Sequence, residues 1–213
     1  MRNPMRTVGK AYLLVLVMAA SAVAQSRLQS GPSPAVAGPA YDVSVGYSYL
    51  SMPISSAGRA GLNGLDSSAS IALSPRWGAT VDSSYLRTSG VLSTPHQGYV
   101  LSLQGGPVFS LIQHRNTRVF VRGLAGGALV DGAVPVSDTS YFHGWLLRPT
   151  YTLGGGFERA VSGNLALRVN GDYVRTTFYD TAGSTQAQNN LRLTVSFVFR
   201  LKQHPHRYSA QVR

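Results

Sequence analysis

The chain has 213 residues, a formal charge of +11 and no cysteine. The lack of cysteine excludes a disulfide framework, a lipid anchor on a cysteine and any thiolate chemistry. Only 13% of residues are charged, about half the share of an ordinary globular domain. The two lysines, Lys10 and Lys202, stand near the ends, which argues against a soluble sheet with a Lys- and Glu-rich outer face.

Arg2, Arg6 and Lys10 precede the apolar run Ala11 to Ala20, and Ala22-Val23-Ala24 supplies small residues at a peptidase spacing. This predicts a secretory signal peptide over residues 1–24, cut after Ala24. The run is shorter than the roughly 20 apolar residues of a spanning helix, and no later stretch reaches that length. Removing the three basic residues of the leader from the formal charge of +11 leaves +8 on the mature chain. Residues 25–39, rich in Ser, Pro and Gly, read as a flexible periplasmic lead-in.

From Ala40 to Leu201 apolar and small polar residues alternate, most clearly in Tyr41–Tyr49 and Leu191–Leu201. A period of two gives strands with one apolar and one polar face. Strands are expected at Ala40–Leu50, Leu62–Leu73, Trp77–Leu86, Gly98–Phe109, Arg118–Leu129, Thr150–Arg159, Leu165–Arg175 and Asn190–Leu201. Each is close to the roughly 9–11 tilted residues that cross an outer membrane. The connections Ser74–Arg76, Ile112–Thr117 and Ala160–Asn164 are short. Ser51–Gly61, Arg87–Gln97, Val130–Pro149 and Thr176–Asn189 are longer. Alternating short and long connections fit an eight-stranded antiparallel transmembrane barrel with short periplasmic turns and longer external loops. The barrel is expected over residues 40–201, followed by a basic periplasmic tail at 202–213.

Two sets of residues follow from this phase. Tyr41, Trp77, Phe109, Phe157 and Phe199 fall near the periplasmic strand ends, and Tyr49, Tyr85, Tyr99, Tyr151 and Tyr173 near the outer ends. All stand at odd positions, as expected of two aromatic girdles on a lipid-facing wall. The even positions carry Asp42, Asp66, Asp82, Arg122, Glu158, Arg168, Asp172, Arg192 and Arg200. An eight-stranded barrel has an interior only wide enough for side chains, so these charges are expected to pair in a closed lumen. Asp42 and Arg200 meet where the first and last strands close, and Glu158 and Arg168 flank one turn. Inward Gly46, Gly106, Gly154 and Gly156 leave room for long side chains and for coiling.

The opening Tyr41–Tyr49, the segments Leu153-Gly154-Gly155-Gly156-Phe157 and Leu165-Ala166-Leu167-Arg168-Val169, and the closing strand Asn190 to Leu201 resemble the OmpA/OmpX-like group of small outer-membrane barrels. The resemblance covers nearly all of the mature chain. It implies a bacterial outer-membrane location, outer-membrane lipid as surroundings, insertion by the barrel-assembly machinery, and a monomer. The basic tail past Phe199 and Leu201 departs from the group's usual aromatic end, and the peptidoglycan-binding domain of larger members is not expected.

Catalytic signatures are missing: there is no G-x-S-x-G elbow, no H-E-x-x-H helix and no phosphate loop. The clusters Gly123-Leu124-Ala125-Gly126-Gly127 and Gly154-Gly155-Gly156 sit inside strands with no helix following, so they read as curvature or close packing. His96 and His143 fall in predicted external loops and His204-Pro205-His206 in the tail, and none has further ligands in sight. No cofactor or metal is expected, and export argues against nucleic acid as the partner of the positive charge. Arg59, Arg87, Arg148 and Arg175 stand near the predicted outer rim, where they would either meet lipopolysaccharide phosphates or be solvated as ordinary rim charges. The expected function is a non-enzymatic outer-membrane barrel with a structural or surface-interaction role. The alternatives are a narrow porin-like channel, a barrel enzyme acting on lipid or peptide, and a soluble ligand-binding periplasmic barrel.

Overall fold

The computed structural model describes residues 41–55, 58–89, 97–114, 116–131, 145–181 and 184–201. The predicted signal peptide, lead-in and basic tail lie outside the described residues, as do His96, His143, His204 and His206.

Alternation has produced eight strands: β1 (Tyr41–Ser55), β2 (Gly58–Ala72), β3 (Trp77–Thr88), β4 (Gly98–His114), β5 (Thr117–Asp131), β6 (Leu146–Ala160), β7 (Leu165–Thr181) and β8 (Ser184–Leu201). Each pairs antiparallel with its sequence neighbours, and β1 pairs with β8 to close the barrel. Closure gives every edge a partner, which an open sheet in apolar surroundings could not provide.

Facing residues share parity, as in Val45 with Ser67, Asp66 with Ser84 and Asp172 with Arg192. Even positions therefore point inward in all eight strands, bulged ends apart. From Ser51 the register passes through Leu191, Tyr173, Leu153 and Gly123, crosses β4 at Pro107, and goes on through Ala79 and Ile71 to Tyr41, ten positions earlier on β1. That stagger over eight strands corresponds to a tilt of about 40° and an interior that side chains fill.

The strands run past their expected ends. β1 has 15 residues and β8 has 18, against the roughly 9–11 needed to cross a membrane. Ser51–Gly61 and Thr176–Asn189, expected as loops, are mostly strand: only residues 56–57 separate β1 from β2, and 182–183 separate β7 from β8. Their Ser, Gly, Thr and Gln residues show no alternation, yet backbone pairing continues through Ser51–Gly61 and Pro53–Arg59, because the ladder uses main-chain groups that every residue but Pro carries in full. At the other rim the turn expected at Ile112–Thr117 shrinks to residues 115–116. A bulge between Ser110 and Ile112 slips the phase there, leaving Leu111 and Ile112 both exposed, as an extra unpaired residue does.

Polarity divides the barrel into two zones. Through its middle the outward residues are apolar and exposed, including Val45, Leu65, Val81, Leu103, Leu153, Leu193 and Val195, while the inward ones are Ser, Thr, Asn, Gln and the charges. Toward the extended ends the sense reverses. Inward Leu50, Met52, Leu62, Leu86, Val100, Val130 and Val174 form one apolar cluster, while outward Arg59, Asn63, Arg87, Arg175 and Asn189 are exposed. The period of two implied a polar inner face along the strands, and this layer corrects it at their extended ends. Where the wall faces water, apolar side chains have only the interior to occupy. Tyr49, Tyr85, Tyr99, Tyr151 and Tyr173 stand on the outer wall close to the level of the reversal.

Candidate functional site: the charged interior and the outer rim

The register brings four residues of adjacent strands into one row on the inner wall: Arg122 on β5, Gly154 on β6, Asp172 on β7 and Arg192 on β8. A Cβ at Gly154 would lie 2.0 Å from Asp172 Oδ1, so glycine is what lets Arg122 reach past β6. Arg122 Nε and Nη2 donate to Asp172 Oδ1 and Oδ2 at 3.1 and 2.7 Å, a bidentate pair. Arg192 Nε donates to the same Oδ2 at 3.0 Å. Asp82 enters from β3 on the far wall, its two oxygens accepting from Arg122 Nη1 and Arg192 Nη1, each at 3.0 Å. Asp66, from β2, lies 3.6 Å from Arg192 Nη1 and accepts no hydrogen bond at Oδ2. All five side chains are at most 2% exposed, so the group spans the barrel from wall to wall without water access.

A second group lies toward the rim of short turns. Glu158 and Arg168 face each other across β6 and β7, and Glu158 Oε2 accepts from Arg168 Nε and Nη2 at 3.1 and 2.8 Å. Arg200 Nη2 donates to Glu158 Oε1 at 2.6 Å. Asp42 and Arg200 are register partners across β1 and β8 as expected, but the Arg200 guanidinium goes to Glu158, which already lies between two arginines. Asp42 instead lines a recess at this mouth with Arg118, Phe120 and Arg168. The sequence reading missed Arg118 and Phe120, although their even numbers mark both as inward. Arg118 Nε donates to Ser110 Oγ at 2.8 Å, and the Arg118 and Arg168 guanidinium carbons each lie 5.4 Å from the Phe120 ring centroid. Phe120 has space to lie there because Gly156 has no side chain: a Cβ would sit 2.7 Å from its Cζ.

Hydroxyl and amide pairs fill the space between the layers. Ser44 with Ser68 at 2.7 Å, Ser84 with Ser102 at 2.7 Å and Ser48 with Thr194 at 2.9 Å join facing residues, and Thr152 donates across strands to Gln104 Oε1 at 2.7 Å. Above Arg192 the apolar cluster begins, with Leu50, Leu86, Val100 and Val174 around a second recess.

On the outer wall the ten aromatic residues keep the outward phase. Trp77, Phe157 and Phe199 are exposed toward the short-turn rim, Tyr49, Tyr151 and Tyr173 toward the other, and Tyr41, Phe109, Tyr85 and Tyr99 are half-buried. Trp77 packs against Phe109 at 4.8 Å between centroids, and Tyr85 stacks on Tyr99 at 6.2 Å. Of the four rim arginines, Arg59, Arg87 and Arg175 are exposed on the outer wall, and Arg148 is half-buried on the inward phase. Arg59 is tied down by Ser51, whose Oγ and carbonyl accept at 2.8 and 2.9 Å.

No protein-family model matches the chain, and no curated protein matches it. Solved structures do. The crystal structure of Neisserial surface protein A (NspA) is similar with a TM-score of 0.57 at 14% identity, over 78% of this chain and 99% of that one. The crystal structure of Ail, the attachment invasion locus protein of Yersinia pestis, is similar with a TM-score of 0.50 at 12% identity, over 76% of this chain and 98% of that one. At these identities the likeness is one of fold. The fold is the closed eight-stranded antiparallel barrel of the outer-membrane type, as in the OmpA/OmpX-like group.

Proposed function

We propose that this chain is a bacterial outer-membrane protein whose sealed barrel supports an outward-facing interaction surface. The observation that carries this reading is the double closure of the interior. The Asp66, Asp82, Arg122, Asp172 and Arg192 group bridges the lumen at mid-height, and the apolar layer around Leu50, Leu62 and Val130 fills it above. The exposed apolar band suits lipid, and the two aromatic belts suit two headgroup layers. The even strand number suits two periplasmic termini, in agreement with a leader cut after Ala24. In this orientation the extended strand ends face outward. NspA is by name a surface protein and Ail an attachment protein. A surface role is transferred from them by analogy of fold alone. The expected surroundings are outer-membrane lipid, with lipopolysaccharide phosphates at the outer rim and the assembly machinery engaged during insertion. The expected state is a monomer.

Two experiments test this. Pure protein in planar bilayers should give no steady single-channel steps, because an ion would have to break paired buried charges and then cross an apolar layer. Stable steps would replace the support reading with a channel. An impermeant label applied to whole cells should reach the connection within Val130–Pro149 and spare the turn beside His114. Labelling confined to that turn would invert the orientation.

A further inference from the structure

One charge of each sign is left over at the short-turn mouth. Arg168 and Arg200 both serve Glu158, and all three guanidinium nitrogens of Arg122 serve Asp82 and Asp172. Among the described residues Asp42 forms no ion pair, and neither does Arg118. Arg118 uses only Nε, on Ser110 Oγ, so its two terminal nitrogens keep their donors. Both residues are half-buried and line the same recess. They come from β1 and β5, which are diametrically opposite in a ring of eight strands. Two opposite charges therefore border one cavity from opposite walls without reaching each other.

A ligand that carries both charges completes this arrangement. An ammonium at one end suits Asp42, whose ionised carboxylate only accepts, and a carboxylate at the other suits the planar fork of Arg118. The guanidinium carbons of Arg118 and Arg168 each lie 5.4 Å from the Phe120 ring centroid. The two cations crowd one ring, and an anion lying against both relieves their repulsion. A plain anion would meet Asp42 as well, and a plain cation would meet the arginines. Ala72 and Val108 give the recess an apolar side. Its space of about 390 Å³, counted to the open mouth, lies in the range of small-ligand sites. We propose that the mouth recess binds a free zwitterionic α-amino acid with a small apolar side chain, its ammonium on Asp42 and its carboxylate on Arg118. In the orientation proposed above, this site faces the periplasm.

NMR titration of the folded barrel in detergent tests the site, with alanine as the probe and the backbone amides of Ser70 and Thr80, which line the recess, as reporters. Alanine should shift both signals to saturation. Propionate, which lacks the ammonium, and ethylamine, which lacks the carboxylate, should each bind at least about tenfold more weakly, the loss of one charge-assisted contact. Asp42→Asn should weaken alanine by a similar factor without weakening propionate. Arg118→Gln should weaken alanine without weakening ethylamine. Heat-modifiable migration on gels verifies that each variant is folded, and Lys202→Ala should change nothing. Absence of any shift with alanine would overturn the proposal, as would equal binding of alanine and propionate or wild-type affinity in the folded double variant. Binding that appears only in Lys202→Ala would put the chain's own tail on Asp42 and would overturn it too. Because the titration is made in detergent, its failure leaves the orientation intact. An inverted orientation would move the site to the other compartment without abolishing it.

Discussion

Replacing Arg192 with alanine will destabilise the barrel by about 3–5 kcal/mol, the usual cost of removing one partner from a buried ion pair. Arg192 is the residue that touches all three central carboxylates, lying 3.0 Å from Asp82 and from Asp172 and 3.6 Å from Asp66. Without it, three carboxylates share Arg122 in an interior shielded from bulk water. Urea unfolding of the protein in lipid vesicles, followed by gel mobility and tryptophan fluorescence, measures the loss. Adding Asp66→Asn to Arg192→Ala should recover part of it, because the second change removes a charge that the first left unpaired. A change below about 1 kcal/mol for the single variant would mean that the interior admits water, and the sealed-lumen reading would fall with it. Arg168→Ala should follow the same logic at the lower group, with a smaller effect because Arg200 remains on Glu158.

Val195→Arg is the second large effect. Val195 is outward, exposed and flanked by Val169 and Tyr47 on the neighbouring strands, near the middle of the apolar band. A charge there should cost about 2–4 kcal/mol in lipid, whereas the cost falls to about 0–1 kcal/mol near the interface. Ala187→Arg supplies the comparison, since Ala187 is exposed on the same strand but lies beyond the polarity reversal, next to the level of Asn189. The same unfolding assay should separate the two clearly. Equal effects would mean that no bilayer surrounds the Val195 level.

The strands and their phase were legible because membrane and lumen impose opposite polarity on adjacent residues, so Leu191–Leu201 and Tyr41–Tyr49 could be read directly. The charges at even positions were legible for the same reason, and the register then brought Asp66 and Asp82 to Arg122 and Arg192. Three features were not. The pairing of Ser51–Ser55 with Gly58–Gly61 is written in backbone hydrogen bonds, to which a run of Ser and Gly gives no periodic signature. The apolar layer was missed because Leu50, Leu62, Leu86 and Val130 follow directly on outward Tyr or Leu residues or stand beside Gly. Apolar residues of both parities look like fading alternation rather than a change of solvent. Asp42 was assigned to Arg200 by proximity at closure, but a guanidinium on a long stem can reach a neighbour's carboxylate as easily as its own register partner.

The seam between β1 and β8 also governs the order of assembly. It joins Tyr41–Ser51 to Leu191–Leu201, the two ends of the barrel sequence, so the contact of greatest chain separation is also the one that removes the last free edges. Contacts of that kind slow folding because a long loop must close before they form. The central charges obey the same schedule. Asp66 and Asp82 come from the first half of the chain, whereas Asp172 and Arg192 come from the last hairpin. A nascent barrel of β1 to β6 therefore holds Asp66, Asp82 and Arg122 without Arg192, and an exposed β1 edge that would pair with any passing strand. Arrival of the final hairpin completes the hydrogen-bonded ring and in the same event brings Arg192 to Asp66 and Asp82, and Asp172 to Arg122, so a half-closed intermediate keeps neither advantage.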